Sequence, residues 1–193
     1  IMARFNAKAP RRILLAAHYD TRPWADEDKD ESKRRTPLDG ANDGASGVAV
    51  ILEIARNLQQ QAPGIGVDVL LTDVEDYGSH DDESTGESSW ALGAQYWAAH
   101  TPYTSARQRP AYGILLDMVG GRNASFCREY LSESVAPVVN SKVWQAARAE
   151  GISRFVDEQR GGVTDDHIFI NRAGIPCIDI IECANPETGS FPP

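Results

Sequence analysis

Acidic and imidazole side chains recur in this chain beside short apolar runs. His18-Tyr19-Asp20 follows Arg12 to Ala17, Glu75-Asp76 follows Val67 to Thr72, and Asp117 follows Tyr112 to Leu116. Asp43 lies in the turn Ala41-Asn42-Asp43-Gly44-Ala45-Ser46-Gly47, and Asp165-Asp166-His167 precedes a fourth run, Pro176 to Ile181. Carboxylates gathered at one edge of a sheet repel one another unless a cation or protons offset them. A metal is the economical explanation. Zinc accepts Asp, Glu and His donors, and a catalytic zinc keeps one coordination position open. Taken singly, each of these residues reads more simply as a cap or turn aspartate, and His18 as a hydrogen-bonded core histidine. Their joint placement is what suggests chemistry. In the adjacent pair, one acid can bind metal while the other, pointing elsewhere, serves as base.

The elements that must position these groups follow from periodicity. The four apolar runs are continuous rather than alternating, the pattern of strands buried on both faces. Between them, Val48, Ile51, Leu52, Ala55 and Leu58 share one face of a helix expected over Gly44 to Gln61, with Ser46 or Asp43 as its cap. Further helices are expected over Ser89 to His100 and over Glu133 to Glu150, the last stopping at Gly151. Strands alternating with helices imply an α/β fold, a mostly parallel sheet with helices on both faces. Ligands in such sheets collect beyond the carboxyl ends of the strands. The acidic tracts Ala25 to Arg35 and Ser79 to Ser88 have no apolar period and read as solvated loops that can rim a site.

Composition narrows the partners. A chain of 193 residues suits one unit with a substantial core, and no stretch approaches the roughly 20 apolar residues of a membrane span. With 28 acidic against 19 basic residues the net charge is -9, which opposes a phosphate backbone and argues against nucleic acid. The three cysteines, Cys127, Cys177 and Cys183, lack the spacing of a zinc ribbon or redox motif and read as ordinary thiols, with Cys177–Cys183 the pairing to consider. Trp97 and Trp144 fall on helical core faces.

Five ordered motifs carry a resemblance. His18-Tyr19-Asp20-Thr21-Arg22-Pro23, Asn42-Asp43-Gly44-Ala45-Ser46-Gly47, Val74-Glu75-Asp76-Tyr77-Gly78, Leu115-Leu116-Asp117-Met118-Val119-Gly120 and Asp165-Asp166-His167-Ile168 together resemble zinc-dependent glutaminyl cyclases, bacterial type, of the aminopeptidase-like superfamily. The resemblance implies a zinc aminopeptidase-like fold and residue roles. Asp43 and Asp76 would ligate Zn2+, Glu75 would act as general base and acid, and Asp117 and Asp165 would form a hydrogen-bond network beside the metal. The family's third ligand is a histidine shortly after a Phe-Pro stretch. That residue is expected beyond Pro193, so the chain is expected to be a single catalytic domain, 1–193, truncated at both ends. None of His80, His100 or His167 matches it.

The resemblance further implies conversion of N-terminal glutamine of peptides to pyroglutamate with release of ammonia, in an exported, periplasmic or secreted protein. Two alternatives stand beside it. A two-zinc aminopeptidase would use His18 and Asp117 for a second metal, and an inactive binding domain would lack the base or a ligand. The contexts Thr21-Arg22-Pro23-Trp24-Ala25-Asp26, Ser88-Ser89-Trp90-Ala91-Leu92-Gly93 and Asp117-Met118-Val119-Gly120-Gly121 favour the cyclase.

Overall fold

A computed structural model describes residues 1–61, 63–79 and 89–191. All four expected strands form. They are β2 (Arg12–His18), β3 (Gly66–Thr72), β4 (Gly113–Leu116) and β7 (Cys177–Ile180), and they run parallel to one another. β1 (Met2–Phe5), which sequence reading did not assign, pairs antiparallel with β3 and closes one edge of a five-stranded sheet in the order β1-β3-β2-β4-β7. β5 (Phe126–Arg128) and β6 (Phe155–Gln159) form a separate two-stranded parallel pair.

Alternation along β2 shows why the strands read as unbroken apolar runs. Leu15 and Ala17 face one core with Ile51 of α1 (Ala45–Gln60) and with Val139 and Trp144 of α4 (Pro137–Ala149). Leu14 and Ala16 face the opposite core with Trp97 of α2 (Leu92–Ala99) and Ile170 of α5 (Asp166–Arg172). Helices thus cover both faces of a mixed, mostly parallel sheet, as expected, and Trp97 and Trp144 are core residues. One acid interrupts the apolar run of β3. Asp68 is fully buried and accepts from Arg12 Nε at 2.9 Å and from the Tyr103 hydroxyl at 2.7 Å.

Three expectations are corrected by local chemistry. The helix expected over Glu133 to Glu150 is two helices, α3 (Tyr130–Val135) and α4, broken at Ala136 (φ -137°, ψ 48°). Pro137 is the cause, because it lacks an N–H and excludes helical geometry from the residue before it. The helix expected from Ser89 begins only at Leu92, since Ala91 is left-handed (φ 55°) and the Ala91 and Leu92 amides donate to Glu75 and Val74 carbonyls. Neither Asp43 nor Ser46 caps α1; Gly44 occupies the cap position and no side chain bonds there.

The cysteine reading also changes. Cys127 and Cys183 form a disulfide, with Cα atoms 4.9 Å apart, and Cys177 is a buried free thiol. A Cys177–Cys183 bond is excluded by reach. Four of the intervening positions are extended, and six extended steps span about 20 Å, far beyond what a disulfide bridges. The acidic tract Ser79 to Ser88 and His80 lie, apart from Ser79, outside the described residues. No helix among the described residues is long and apolar enough to cross a membrane.

Candidate active site

The carboxyl ends of β2, β3 and β4 deliver the ionisable groups to one place. β2 is flanked by β3 and β4, so the chain leaving β3 must cross to the far side of β2, and ligands gather where such connections diverge. A cavity of about 730 Å³ opens there, lined by Asp43, Glu75, Asp76, Asp117 and Asp165 together with Trp90, Met118, Val163, Ile181 and Phe191. All five acids singled out from sequence meet in it. From the acidic tract 25–35, Asp26, Glu27 and Asp28 form part of its rim.

Backbone geometry explains how each acid arrives. Gly44 adopts φ +84°, and a Cβ there would meet the Asp20 carbonyl at 2.2 Å, so the turn that presents Asp43 requires glycine. Gly47 lies so close to the exit of β4 that a Cβ would sit 2.1 Å from the Leu116 carbonyl oxygen. This contact sets α1, and with it Asp43, against Asp117. Ser46 completes the joint, donating to the Asn42 carbonyl at 2.5 Å and accepting from the Val119 amide at 2.9 Å.

The Glu75-Asp76 turn follows a left-handed Val74 (φ 55°) and is held by Asp20, whose two carboxylate oxygens accept from the Glu75 amide at 3.2 Å and the Asp76 amide at 3.1 Å. Arg22 donates to the carbonyls of Asp76 at 2.9 Å and Gly78 at 2.6 Å, pairs with Asp26, and lies over the Trp90 ring. Asp20 and Arg22 belong to the first motif, and nothing in their residue types alone assigns them this task. The available signal was a carboxylate two residues past His18, at the strand exit nearest the acid pair.

His18 does not line the cavity. It is 1% exposed and sits beneath the acids, with Nε2 3.0 Å from Asp43 Oδ1 and 3.1 Å from Asp117 Oδ1, and Nδ1 3.4 Å from Asp20 Oδ1. Burial alone would hold the imidazole down, but hydrogen bonds to Asp117, Asp20 and Asp43 outweigh it and raise it far above the ordinary histidine value. Donor atoms of His18, Asp43 and Asp117 lie within 4.8 Å of one another, close enough to hold a cation. No described histidine lines the cavity. His100 ends α2 on the surface, and His167 is buried beside Glu129 at 3.4 Å.

Glu75, Asp76, Asp117 and Asp165 resist ionisation. Burial, then the charge of Asp43, pushes the Asp76 carboxyl up to about 7. Glu75 is raised well above its usual range by burial and then by the charge of Asp165, and Asp165 is raised by burial, Asp117 and Asp166. Asp76 Oδ2 is buried and finds no hydrogen-bond partner among the described residues. A divalent cation between Asp43 and Asp76 would offset their repulsion and engage that oxygen, so these residues fit a metal.

A mixed, mostly parallel sheet with carboxylates and a buried histidine at its carboxyl edge defines a metallo-exopeptidase type of architecture. The chain belongs to peptidase family M28, whose model matches residues 1–190. It is similar to Bacteroides thetaiotaomicron glutaminyl cyclase bound to N-acetylhistamine, at 48% identity and a TM-score of 0.89, over 100% of this chain and 66% of that one. It is also similar to a leucine aminopeptidase precursor from the same organism, at 46% identity and a TM-score of 0.87, over 98% and 66%. The alkaline phosphatase isozyme conversion protein of Escherichia coli is 34% identical over 98% of this chain and 54% of its own length. The chain therefore spans about two thirds of these solved structures and about half of that relative.

Proposed function

We propose that the protein is a zinc-dependent glutaminyl-peptide cyclotransferase, acting on peptides with N-terminal glutamine. The observation that carries this reading is the convergence of Asp43, Glu75, Asp76, Asp117 and Asp165 on one cavity, in a chain similar along its whole length to a glutaminyl cyclase. Asp43 and Asp76 hold the zinc ion, and the resemblance supplies a third ligand, a histidine expected after the Phe191-Pro192 stretch. Bound there, zinc supplies Lewis acidity toward the γ-amide oxygen of the substrate glutamine.

The chain's own groups do the rest. The Trp90, Met118, Ile181 and Phe191 walls exclude water and hold the glutamine side chain so that its α-amine faces its own γ-carbon. Glu75 takes a proton from that amine as the new C–N bond forms, and returns it to the γ-nitrogen as the old C–N bond breaks and ammonia leaves. Asp117 and Asp165 keep the hydrogen-bonded surroundings of the base in place. No protein nucleophile is required, because the substrate attacks itself.

A second reading has its own observation. The His18, Asp43 and Asp117 donors suit a second metal, as in a two-zinc aminopeptidase, where Glu75 would activate water instead. His18 Nε2 separates the two: as an N–H donor it bonds Asp43 and Asp117, and as a lone pair it ligates a metal. Export to a periplasm or beyond the cell is supported by the Cys127–Cys183 disulfide, since such bonds persist in oxidising compartments. The test is to incubate the full-length protein with a glutamine-led peptide and with a leucine-based aminopeptidase substrate. Release of ammonia with pyroglutamate from the first supports the cyclase. Hydrolysis of the second alone refutes it.

A further inference from the structure

A second cluster of ionisable groups runs from Asp165 at the cavity wall into the interior, and the reaction proposed above gives its other members, Asp179 and His167, no task. Asp179, in β7, is fully buried, and neither of its carboxylate oxygens has a hydrogen-bond partner among the described residues. One donor atom each from Asp179, Asp165 and His167 lies within 4.8 Å of the other two. Asp165 lines the cavity, caps α5 by accepting from the Asp166 amide through Oδ1, and leaves Oδ2 buried without a partner. Three buried carboxylate oxygens without a hydrogen-bond partner among the described residues, one of Asp165 and both of Asp179, therefore belong to neighbouring side chains.

The ionisable groups that act on Asp179 come from every element packed against it. Asp165 and His167 belong to the start of α5, Glu129 precedes α3, Asp117 and Glu75 follow β4 and β3, and Cys177 shares its strand. All are acids or a thiol except His167, which Glu129 faces at 3.4 Å. The Asp179 amide donates to the Ser132 hydroxyl at 2.9 Å, which ties its backbone to α3. Two buried carboxyls with donor atoms within 4.8 Å repel strongly when both are ionised, and a single proton held between them would satisfy an oxygen on each.

We propose that Asp179 is a positioning residue for the reaction: it shares one proton with Asp165 and thereby holds that carboxyl in a single orientation at the cavity wall. Its effect on turnover rests on the cyclase reading, whereas the shared proton does not. Sequence offered one signal for it, an aspartate in the middle of an apolar strand.

Infrared spectroscopy of the chain with 13C-labelled aspartate, near neutral pH, tests the proton directly. A protonated-carboxyl band that moves with the label and is lost in the difference spectrum between Asp179→Asn and the unsubstituted chain, beside the bands of other protonated aspartates, is expected. Absence of that band from the unsubstituted chain overturns the proposal. In the full-length enzyme, Asp179→Ala should lower kcat about 10- to 100-fold while leaving KM within about threefold, as for a misplaced group at a reacting centre. Asp179→Asn, whose amide donates to Asp165 in place of the proton, should recover about tenfold of that loss. Equal losses in the two variants, or an alanine variant with unchanged kcat, overturn the role. A full-length enzyme that shows the band yet makes no pyroglutamate sinks the cyclase reading and the role in turnover while the shared proton stands; an active enzyme without the band does the reverse.

Discussion

Replacing both Cys127 and Cys183 by serine removes a cross-link between residues 56 apart in sequence. In the chain-entropy account, opening a loop of that length adds freedom to the unfolded chain and lowers stability by about 4 kcal/mol. For a chain of this size the same change moves the thermal midpoint down by about 10 °C. The loss reaches the site as well, because Ile181 and Phe191 of the cavity wall lie on either side of Cys183. Urea unfolding of the double variant, and of the unsubstituted protein with and without reductant, measures the effect. The variant and the reduced protein should coincide with each other in midpoint and slope, at a midpoint below that of the oxidised protein. A double variant within about 1 kcal/mol of the oxidised protein at the same slope would refute the loop argument.

Glu75→Gln keeps the shape of the base and removes its proton transfer, so kcat of the full-length enzyme should fall by about 10²- to 10⁴-fold with zinc content unchanged, read by paired kinetics and elemental analysis. Asp68→Ala leaves the buried Arg12 guanidinium without its partner and should cost about 3–5 kcal/mol in denaturant unfolding. Glu129 supplies a pH prediction. Burial would raise its carboxyl, but His167 and the Ser132 and Leu131 amides outweigh that and hold it below the usual value. Its contribution is therefore complete above the unfolded carboxyl's pKa of about 4.3 and is lost as pH falls through the lower folded value. The stability gap between the unsubstituted protein and Glu129→Gln should accordingly narrow on acidification below about pH 4, and a gap that widens there contradicts the assignment.

What sequence made legible was what burial writes into residue type. β2, β3, β4 and β7 are covered on both faces, so each reads as an apolar run, and the acids at their exits stand out. β1 was missed because it is a short edge strand, its Ala3 and Arg4 exposed, and four residues give too little alternation to read. β5 and β6 form a pair apart from the main sheet and are too short to show a period. Pro137 signalled the break between α3 and α4 in plain letters, but the apolar spacing of Val135, Val139 and Val143 masked it. The disulfide could not be inferred by proximity in sequence, since its partners meet through the fold. Asp20, Arg22 and Asp179 act through backbone amides, carbonyls or another carboxyl, and such tasks leave no pattern of spacing.

The proposed chemistry requires Asp43 and Asp76 to come together and hold one divalent ion. Diffraction from crystals of the full-length protein, recorded on both sides of the zinc absorption edge, tests that most directly. A single anomalous peak between the Asp43 and Asp76 carboxylates is the predicted result, and it should vanish in Asp76→Ala. A peak elsewhere, or a protein loaded with zinc that leaves both carboxylates uncoordinated, would contradict it.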